Sequence, residues 1–318
     1  MNRATLALLL TTVASFGATG CRPDFAPFNR LTSLRVLGIQ SEPPTPLTGE
    51  SATLSALVFT PTPDPTLTYQ WSWCPVAAPA DDGFGCLVTE DQINGYLALG
   101  GLPPVPPFDL GSDLTATLPN TIAPAALQAA CSGLLPNEPS EIKIDCSAGF
   151  PAQVALTVTT ATDSVTTVQT VKLRFDPTTP ANTNPVINSL DAVLAGAPQP
   201  IDDLGLVTLP REVETSLVTY IDPSASEAYA DGTDANGLPV TSFERLFTTW
   251  FVETGDTHDQ RTSYINGSTN FNDLLTNSWT PPAVKNYPGT AARIYTVLHD
   301  NRGGVSWLGG SVTLGASP

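Results

Sequence analysis

The sequence predicts an all-β protein made of two β-sandwiches in tandem. Val-rich and Thr-rich segments alternate between apolar and polar residues, which is typical of strands with one buried face. The 31 prolines and 24 glycines supply many turns between such strands. The same order of strands and turns occurs twice along the 318 residues, on either side of a Pro-rich stretch. A chain of this length also exceeds what one small domain usually needs.

The first predicted domain covers residues 31–175. Its third strand contains Trp71-Ser72-Trp73, which places both indoles on the same face. We expect that face to be buried, and the alternative is an exposed face that stacks on sugar rings. Five strands are predicted in chain order, at 34–39, 51–59, 67–74, 154–159 and 166–174.

The strand pattern lapses between residues 75 and 150, which predicts an insertion in the first domain. Thr89-x-x-Gln92 resembles a capping box at the start of a short helix that stops at Gly100. Pro124 begins a second short helix that runs to Cys131. The insertion is either a decorated loop or a recognition element, since loops on rigid sandwiches often carry binding.

Residues 176–185 form a linker by composition, and residues 186–318 form the second predicted domain. Its elements repeat the order of the first domain: a strand, a turn with proline, an alternating strand, a Trp-bearing strand and a final hairpin. These strands are predicted at 186–190, 212–220, 247–252, 294–298 and 305–314, with a return strand that begins at Trp279.

The segment from Ile294 to Gly304, IYTVLHDNRGG, resembles the end of PKD-like and other Ig-like bacterial domains. In those domains a Y-x-V strand leads into a D-x-x-G-G turn and a last strand. The resemblance implies two Ig-like β-sandwiches, the first of which carries the insertion. It also implies a buried Trp250 in the core of the second domain.

The same resemblance assigns roles to residues of the turn. Tyr295 is expected to act as a tyrosine-corner anchor, with its hydroxyl bonded back to a loop. Asp300 is expected to accept backbone N–H bonds, and Gly303 and Gly304 are expected to supply positive φ angles.

The N-terminus reads as a secretory signal peptide over residues 1–20, with Arg3 before an apolar run from Ala4 to Phe16. Ala18-Thr19-Gly20-Cys21 resembles the lipobox of bacterial lipoproteins, although Leu is usual at the position of Ala18. The resemblance implies that Cys21 becomes a lipid-bearing N-terminus and that residues 21–30 form a lipidated tether. The alternative is an ordinary cleavage site followed by an unmodified cysteine.

Arg22, rather than Asp, follows the cysteine. By resemblance to enteric sorting rules, this residue favours an outer-membrane lipoprotein, and it leaves the periplasmic face and the cell surface both open. No later segment has about 18 continuous apolar residues, so no transmembrane helix is expected.

Once Cys21 is set aside, an even number of cysteines remains in an exported chain: Cys74, Cys86, Cys131 and Cys146. An even set in an oxidising compartment predicts two disulfides. Three connectivities are open, and proximity in sequence favours Cys74–Cys86 and Cys131–Cys146. A zinc site would need C-x-x-C pairs or nearby histidines, and the sequence has neither.

The formal net charge of −17 argues against nucleic acid as a partner, because phosphate binding needs clustered Lys and Arg. The sequence has no G-x-S-x-G, H-E-x-x-H or phosphate-loop motif. Its two histidines are His258, whose neighbour Asp259 is not expected to pair with it, and His299, which is expected to be structural. We therefore predict no enzyme, no catalytic residue and no cofactor.

Residues 231–237, DGTDANG, are superficially like a calcium loop. Thr233 and Ala235 occupy positions where oxygen ligands are required, which leaves Asp231 and Asp234 as weak calcium candidates. Two nearby acidic residues, Asp222 and Glu227, are possible additional ligands. The alternative is a flexible acidic loop.

These observations predict a non-enzymatic, lipid-anchored envelope protein that serves as a structural, adhesive or complex-scaffolding module. The alternative is a glycan- or peptide-binding surface lipoprotein that uses the insertion of the first domain. The expected partners are the membrane, through Cys21, and either an envelope protein or a surface glycan.

Overall fold

A computed structural model describes residues 27–62, 66–78, 85–133, 144–233, 237–264 and 274–316. Within these ranges the protein is an all-β molecule with two Ig-like sandwiches, as the sequence predicts. The signal peptide, Cys21 and most of the predicted tether lie outside the described residues. In the part of the chain described, no helix has the length and hydrophobicity needed to cross a bilayer.

The first sandwich packs a three-stranded sheet, β1-β2-β5, against a four-stranded sheet, β4-β3-β6-β7. Its elements in chain order are β1 (Arg35–Glu42), β2 (Ser51–Phe59), β3 (Thr68–Cys74), α1 (Glu90–Leu99), β4 (Asp109–Gly111), β5 (Ala116–Pro119), α2 (Pro124–Cys131), β6 (Phe150–Thr159) and β7 (Ser164–Leu173).

Alternation along the strands builds the core of this sandwich. Every second residue of β6 is buried, from Phe150 to Val158, because successive side chains of a strand point to opposite faces. Trp71 and Trp73 are both buried on β3, which confirms the prediction that they share an inner face. Their indole N–H groups donate to the carbonyls of Asp113 and Pro107, so burial leaves neither donor unpaired.

The predicted insertion is less uniform than the sequence indicates. The strand β5 pairs with β2, and β4 pairs with β3, so residues 109–111 and 116–119 belong to the two sheets. The excursions from the sandwich are therefore two, one before β4 and one between β5 and β6. The short strands escape prediction because three or four residues carry too little alternation to be recognised.

Each excursion contains one disulfide. One bridge joins Cys74, at the end of β3, to Cys86, and the other joins Cys131, at the end of α2, to Cys146. This is the pairing that proximity in sequence favours. Leu127 and Ala130 of α2 are buried in the core, whereas α1 has no fully buried residue.

The second sandwich repeats this arrangement with two five-stranded sheets, β9-β8-β11-β17-β15 and β10-β19-β18-β14-β16. Its elements are β8 (Ile187–Leu194), β9 (Ala197–Pro200), β10 (Thr208–Leu209), β11 (Thr215–Ile221), β12 (Ala228–Thr233), β13 (Pro239–Phe243), β14 (Leu246–Val252), β15 (Asp256–Thr257), β16 (Arg261–Tyr264), β17 (Thr276–Thr280), β18 (Ala291–His299) and β19 (Val305–Leu314).

The two sandwiches also share a parallel pairing at the last strand. The strand β10 pairs parallel to the end of β19, and Leu47 forms a parallel bridge to Arg174, just after β7. Trp250 and Trp279 are buried in the second core, as the resemblance implies for Trp250. The repeated order read from the sequence thus corresponds to a repeated topology.

Candidate functional site

The residues just before the first sandwich are docked on the second one. The N–H of Leu31 donates to the carbonyl of Val252 at 2.9 Å, and the N–H of Val252 donates to the carbonyl of Asn29 at 3.0 Å. The amide of Asn29 donates to the hydroxyl of Thr257 at 2.7 Å, and Arg30 forms an ion pair with Asp256. Residues 27–30, expected to be part of an extended tether, instead form a turn, in which the N–H of Arg30 donates to the carbonyl of Pro27 at 2.9 Å. Arg30 then forms a single parallel bridge to Val252 at the end of β14.

An apolar cluster lies between the two sandwiches, and we call it the junction cluster. The first half of the chain contributes Leu31, Leu37 and Phe59, and the second contributes Phe251, Val297 and Val305. A β-carbon on Gly38 would lie 3.3 Å from the side chain of Val297, so a residue without a side chain lets β1 approach β18 and β19 closely. The outer face of the second sandwich is thus partly covered by the first.

Arg293 closes one end of the junction cluster. Its guanidinium forms an ion pair with Glu253 at 3.1 Å and donates to the carbonyl of Thr60 in the first sandwich at 2.9 Å. It also lies 4.2 Å from the ring centroid of Phe59, within the range of a cation–π interaction. The contacts at this end join the start of β18 to the end of β2.

Arg302 closes the other end of the junction cluster and holds the linker. It pairs with Glu244 at 3.0 Å and Glu227 at 3.8 Å. The same guanidinium donates to the carbonyl of Ala181 at 2.9 Å, and it lies over the ring of Tyr229. The linker predicted from composition is therefore fixed by a buried arginine where it crosses the second sandwich.

The linker is also bonded from both sides by a buried asparagine. The backbone N–H of Asn182 donates to the hydroxyl of Thr45 in the first sandwich at 2.8 Å. Its side-chain amide donates to Asp300 in the second sandwich at 2.9 Å. Because Arg293 and Asp300 lie near opposite ends of β18, the two sandwiches are in contact along the length of that strand.

Three carboxyl groups surround Arg302, and burial changes how two of them titrate. Burial and the neighbouring Asp300 raise the pKa of Glu244 to about 7, and the attraction of Arg302 only partly opposes this rise. Burial also raises the pKa of Asp300, although Asn182 and backbone N–H groups donate to its carboxylate. Near neutral pH the carboxyl group of Glu244 is therefore partly protonated, whereas that of an exposed glutamate is ionised.

The D-x-x-G-G turn performs its structural role, with two corrections. Asp300 accepts from the N–H groups of Arg302 at 2.7 Å and Gly304 at 2.8 Å, as expected. Gly303 has a φ of 106°. Gly304 does not have a positive φ; it is needed because a β-carbon there would lie 2.1 Å from the Asp300 carboxylate.

Tyr295 is not a tyrosine corner, which is the second correction. It lies in the middle of β18, and its ring packs edge-on against Phe59 of the first sandwich with centroids 6.3 Å apart. Its hydroxyl is hydrogen-bonded to Arg293. The residue therefore belongs to the junction cluster, a role that the local motif does not reveal.

The histidines do not form a catalytic arrangement with their neighbours. His258 pairs with Asp259 at 3.1 Å, contrary to expectation, but both side chains are more than half exposed. His299 stacks on Phe247 with centroids 4.6 Å apart, and burial together with nearby Arg261 lowers its pKa to about 4. The imidazole of His299 is therefore neutral at physiological pH.

The calcium prediction falls largely outside the described residues, since Asp234 and the side chain of Asp231 are not described. The two additional acidic residues are engaged elsewhere: Asp222 caps a short 3-10 helix through the N–H of Ser224, and Glu227 pairs with Thr183 and Arg302. Among the described residues, no group of three His, Cys, Asp or Glu residues is arranged to hold a metal.

The excursion before β4 is held in one shape by polar contacts. Thr89 and Gln92 form the predicted capping box at the start of α1. Glu90 and Asn94 accept the backbone N–H groups of Phe108 and Val105, both at 2.9 Å. Residues 85–108 are therefore held in one arrangement, which we call the platform, and three of its apolar side chains are exposed: Leu87, Tyr96 and Leu99. Leu114, in the turn before β5, is also exposed.

No protein-family model and no curated protein matches this sequence. Solved structures match at low identity: a chimeric titin Z1Z2-Z1Z2 tandem is 11% identical with a TM-score of 0.25, over 89% of this chain and 100% of that chain. The three N-terminal domains of the bacteriophage RB49 outer capsid protein Hoc are 11% identical with a TM-score of 0.21, over 89% and 59%. The N-terminal eight Ig domains of the cell adhesion molecule DSCAM are 11% identical with a TM-score of 0.21, over 90% and 25%. Likenesses of this size concern the fold class and carry no argument about ligands or activity.

Proposed function

We propose that this protein is a non-enzymatic, lipid-anchored component of a bacterial outer membrane that holds a two-sandwich body close to the bilayer. In this role it serves as a structural, adhesive or complex-scaffolding module. The observation that carries the proposal is the docking of residues 29–31 beside β14, which places the start of the docked chain only a few residues after Cys21.

The docking sets the reach of the tether. Only residues 22–26 lie between Cys21, the proposed lipid site, and Pro27. A fully extended chain spans at most about 3.6 Å per residue, so this stretch allows roughly 20 Å between the lipidated residue and the sandwich. Several acyl chains on Cys21 would make the attachment stable.

The junction supports a scaffolding role because it fixes the two sandwiches against each other. Arg293 and Arg302 each donate hydrogen bonds from the second sandwich, one to the first sandwich and the other to the linker. The junction cluster adds buried apolar surface between these two arginines. A body joined in this way presents its surfaces in a constant relative orientation.

The absence of an enzymatic role is part of the proposal. The His258–Asp259 pair is exposed, and the pKa of His299 lies too low for acid–base work near neutral pH. A hydrolytic or transferase activity of the purified protein that one point substitution abolishes would contradict this proposal.

Lipid attachment is tested by Cys21→Ser. In cells given a labelled fatty acid, we expect the wild-type protein to take up label and to sediment with membranes, and the variant to do neither. Cys74, Cys86, Cys131 and Cys146 are expected to remain oxidised in the variant, which serves as the control for folding. Equal labelling and membrane retention of the two proteins would overturn the proposal.

The scaffolding role is tested by a pull-down of the mature protein from detergent-solubilised membranes. A reproducible protein partner would support it, whereas retained polysaccharide would favour the second candidate. That candidate is a glycan- or peptide-binding protein, and the platform of residues 85–108, with its exposed Leu87 and Leu99, favours it.

Deleting the whole predicted insertion would not test the second candidate, because β5 and α2 contribute to the core. Leu87→Asp with Leu99→Asp changes the platform alone, and Leu238→Asp provides an exposed leucine of the second sandwich as a matched control. Ligand capture lost in the double variant and retained in the control would support binding by the platform. Capture unchanged in both would exclude it.

A further inference from the structure

Four segments meet at one end of the second sandwich, which we call the anchor end: residues 201–207, 210–214, 253–257 and 281–290. Their position follows from the strand pairing. The start of β18 pairs with the end of β19, and its other neighbour, β14, ends at the same level with Val252. The docked residues 29–31 pair with that same Val252. The chain from the proposed lipid site therefore joins the body at the anchor end.

Apolar side chains are exposed at the anchor end. Leu204 and Leu206 are 73% and 77% exposed, among the highest values for large apolar residues in the described chain. Val213 and Val284 lie in neighbouring segments of the same end and are also exposed. Burial of these leucines in an apolar environment would be favourable, and apolar side chains exposed together are typical of contact surfaces.

The structure holds the two leucines in place. The hydroxyl of Thr313 on β19 donates to the carbonyl of Gly205, which lies between them, at 2.9 Å. Asp202 accepts from the N–H of Leu204 through its side chain and from the N–H of Ser311 through its carbonyl. The segment is thus fastened to β19 on both sides of Leu204, and exposure of its leucines is a property of the folded state.

Buried Arg211 fastens the neighbouring segments. Its guanidinium donates to the carbonyls of Pro282, Tyr287, Gly289 and Gly315. These bonds fix residues 281–290, with Val284, beside residues 210–214, with Val213. The four exposed apolar side chains are therefore presented by an ordered surface.

We propose that the anchor end lies on the lipid bilayer and that Leu204 and Leu206 enter its interfacial region. The inference rests on the proposed lipidation of Cys21, which brings the anchor end within roughly 20 Å of the bilayer. A single contact of this kind is weak, but a covalent lipid makes it intramolecular and thus effective at high local concentration.

The charged residues near Leu204 and Leu206 indicate which lipid headgroups the anchor end contacts. Asp203, Glu212 and Glu214 lie in the same segments, with Lys285 as a nearby cation. An acidic surface is repelled by anionic lipids, so the contact depends on apolar burial in a zwitterionic interface rather than on electrostatic attraction.

The test uses the mature chain from Cys21, coupled through its thiol to a maleimide lipid in phosphatidylcholine vesicles with brominated acyl chains. Cys21 is the one cysteine outside the two disulfides, so the coupling is selective. Leu204→Trp adds a fluorophore at the anchor end, and Leu99→Trp adds one at an exposed leucine of the first sandwich as the matched control. We expect the emission added at position 204 to be lost to bromine quenching and that at position 99 to be retained.

Equal quenching at both positions, or none at position 204 on vesicles that float with coupled protein, would overturn the inference. Leu206→Trp repeats the measurement if the first variant fails to fold. Because the coupling is chemical, the result is independent of lipidation in cells: failure of the Cys21→Ser test and failure of the quenching test are separate outcomes. A further arm with anionic phosphatidylglycerol is expected to reduce the quenching at position 204.

Discussion

The two sandwiches share a topology but fix their irregular segments by different means. In the first sandwich, each of the two excursions contains a disulfide, which adds a covalent link to hydrogen bonds such as those that Glu90 and Asn94 accept. The second sandwich has no cysteine, and a buried arginine, Arg211, satisfies four carbonyls of its loops. Backbone N–H and C=O groups that leave a sheet need other hydrogen-bond partners. The second sandwich supplies these partners through Arg211, whereas the first sandwich also restrains its irregular segments with disulfides.

The largest effect on stability is expected from removing the side chain of Arg211. Arg211→Ala leaves four loop carbonyls without their charged donor and should lower the free energy of unfolding of the second sandwich by about 3–5 kcal/mol. Amide hydrogen exchange, followed by mass spectrometry, should show faster exchange in β18 and β19 and little change in β6. Arg245→Ala removes an exposed arginine and should have little effect, and equal effects of the two substitutions would contradict the role of Arg211.

Removing one disulfide should destabilise the first sandwich and leave the second unchanged. Cys131→Ser with Cys146→Ser opens a loop of 15 residues, which the chain-entropy model equates with about 3 kcal/mol of stability. We expect hydrogen exchange to accelerate in α2 and β6 and to stay unchanged in β14. Acceleration spread evenly over both sandwiches would show that they unfold as one unit, which would remove the basis of the comparison.

The pH dependence of stability tests two groups of the second sandwich, Glu244 and His299, whose pKa values are shifted in opposite directions. The raised pKa of Glu244 contributes stability that is full below about pH 4.5 and is lost as the pH rises through about 7. The lowered pKa of His299 acts in the other direction, because stability is lost as the pH falls from 6.5 through about 4. The two contributions oppose each other between these limits.

Single substitutions should separate the contributions of Glu244 and His299 to the pH dependence of stability. Glu244→Gln is expected to reduce the loss of stability between pH 5 and pH 8 by about 1–3 kcal/mol, and His299→Phe to reduce the loss on the acidic side by a similar amount. Urea unfolding across the pH range measures both. A Glu244→Gln profile parallel to that of the wild-type protein would show that Glu244 is ionised throughout.

The smallest effect is expected at the capping box of α1. Thr89→Ala removes the side-chain acceptor for the N–H of Gln92 and should destabilise the helix by about 1 kcal/mol. The change should appear as local hydrogen exchange in α1, with the global unfolding midpoint nearly constant. Thr115→Ala, at an exposed position near β5, is the control, and a similar change there would exclude a capping effect.

The fold could be predicted from the sequence where strands were long and alternating. The strand β2 and the hairpin of β6 and β7 were predicted because their side chains alternate over nine or ten residues. The strands β4 and β5 were missed because they are short and are defined by their partners rather than by their own pattern.

The junction could not be predicted, because its contacts join residues far apart in sequence. Nothing in the local sequence distinguishes Arg302, which pairs with Glu244 and Glu227, from an exposed arginine. Tyr295 illustrates the same limit. The motif predicted that its hydroxyl anchors a nearby loop, but its ring packs against Phe59 of the first sandwich.

The docking of residues 29–31 also has a consequence for the order in which the chain folds. These residues are synthesised early, but their partners, the backbone of Val252 and the hydroxyl of Thr257, follow more than 200 residues later in the chain. The earliest segment of the body is therefore among the last to reach its final place, and loop closure of this length is slow. If the first sandwich folds as soon as it is synthesised, residues 29–31 stay undocked at that stage. They reach their final position only when β14 and residues 253–257 of the second sandwich have folded.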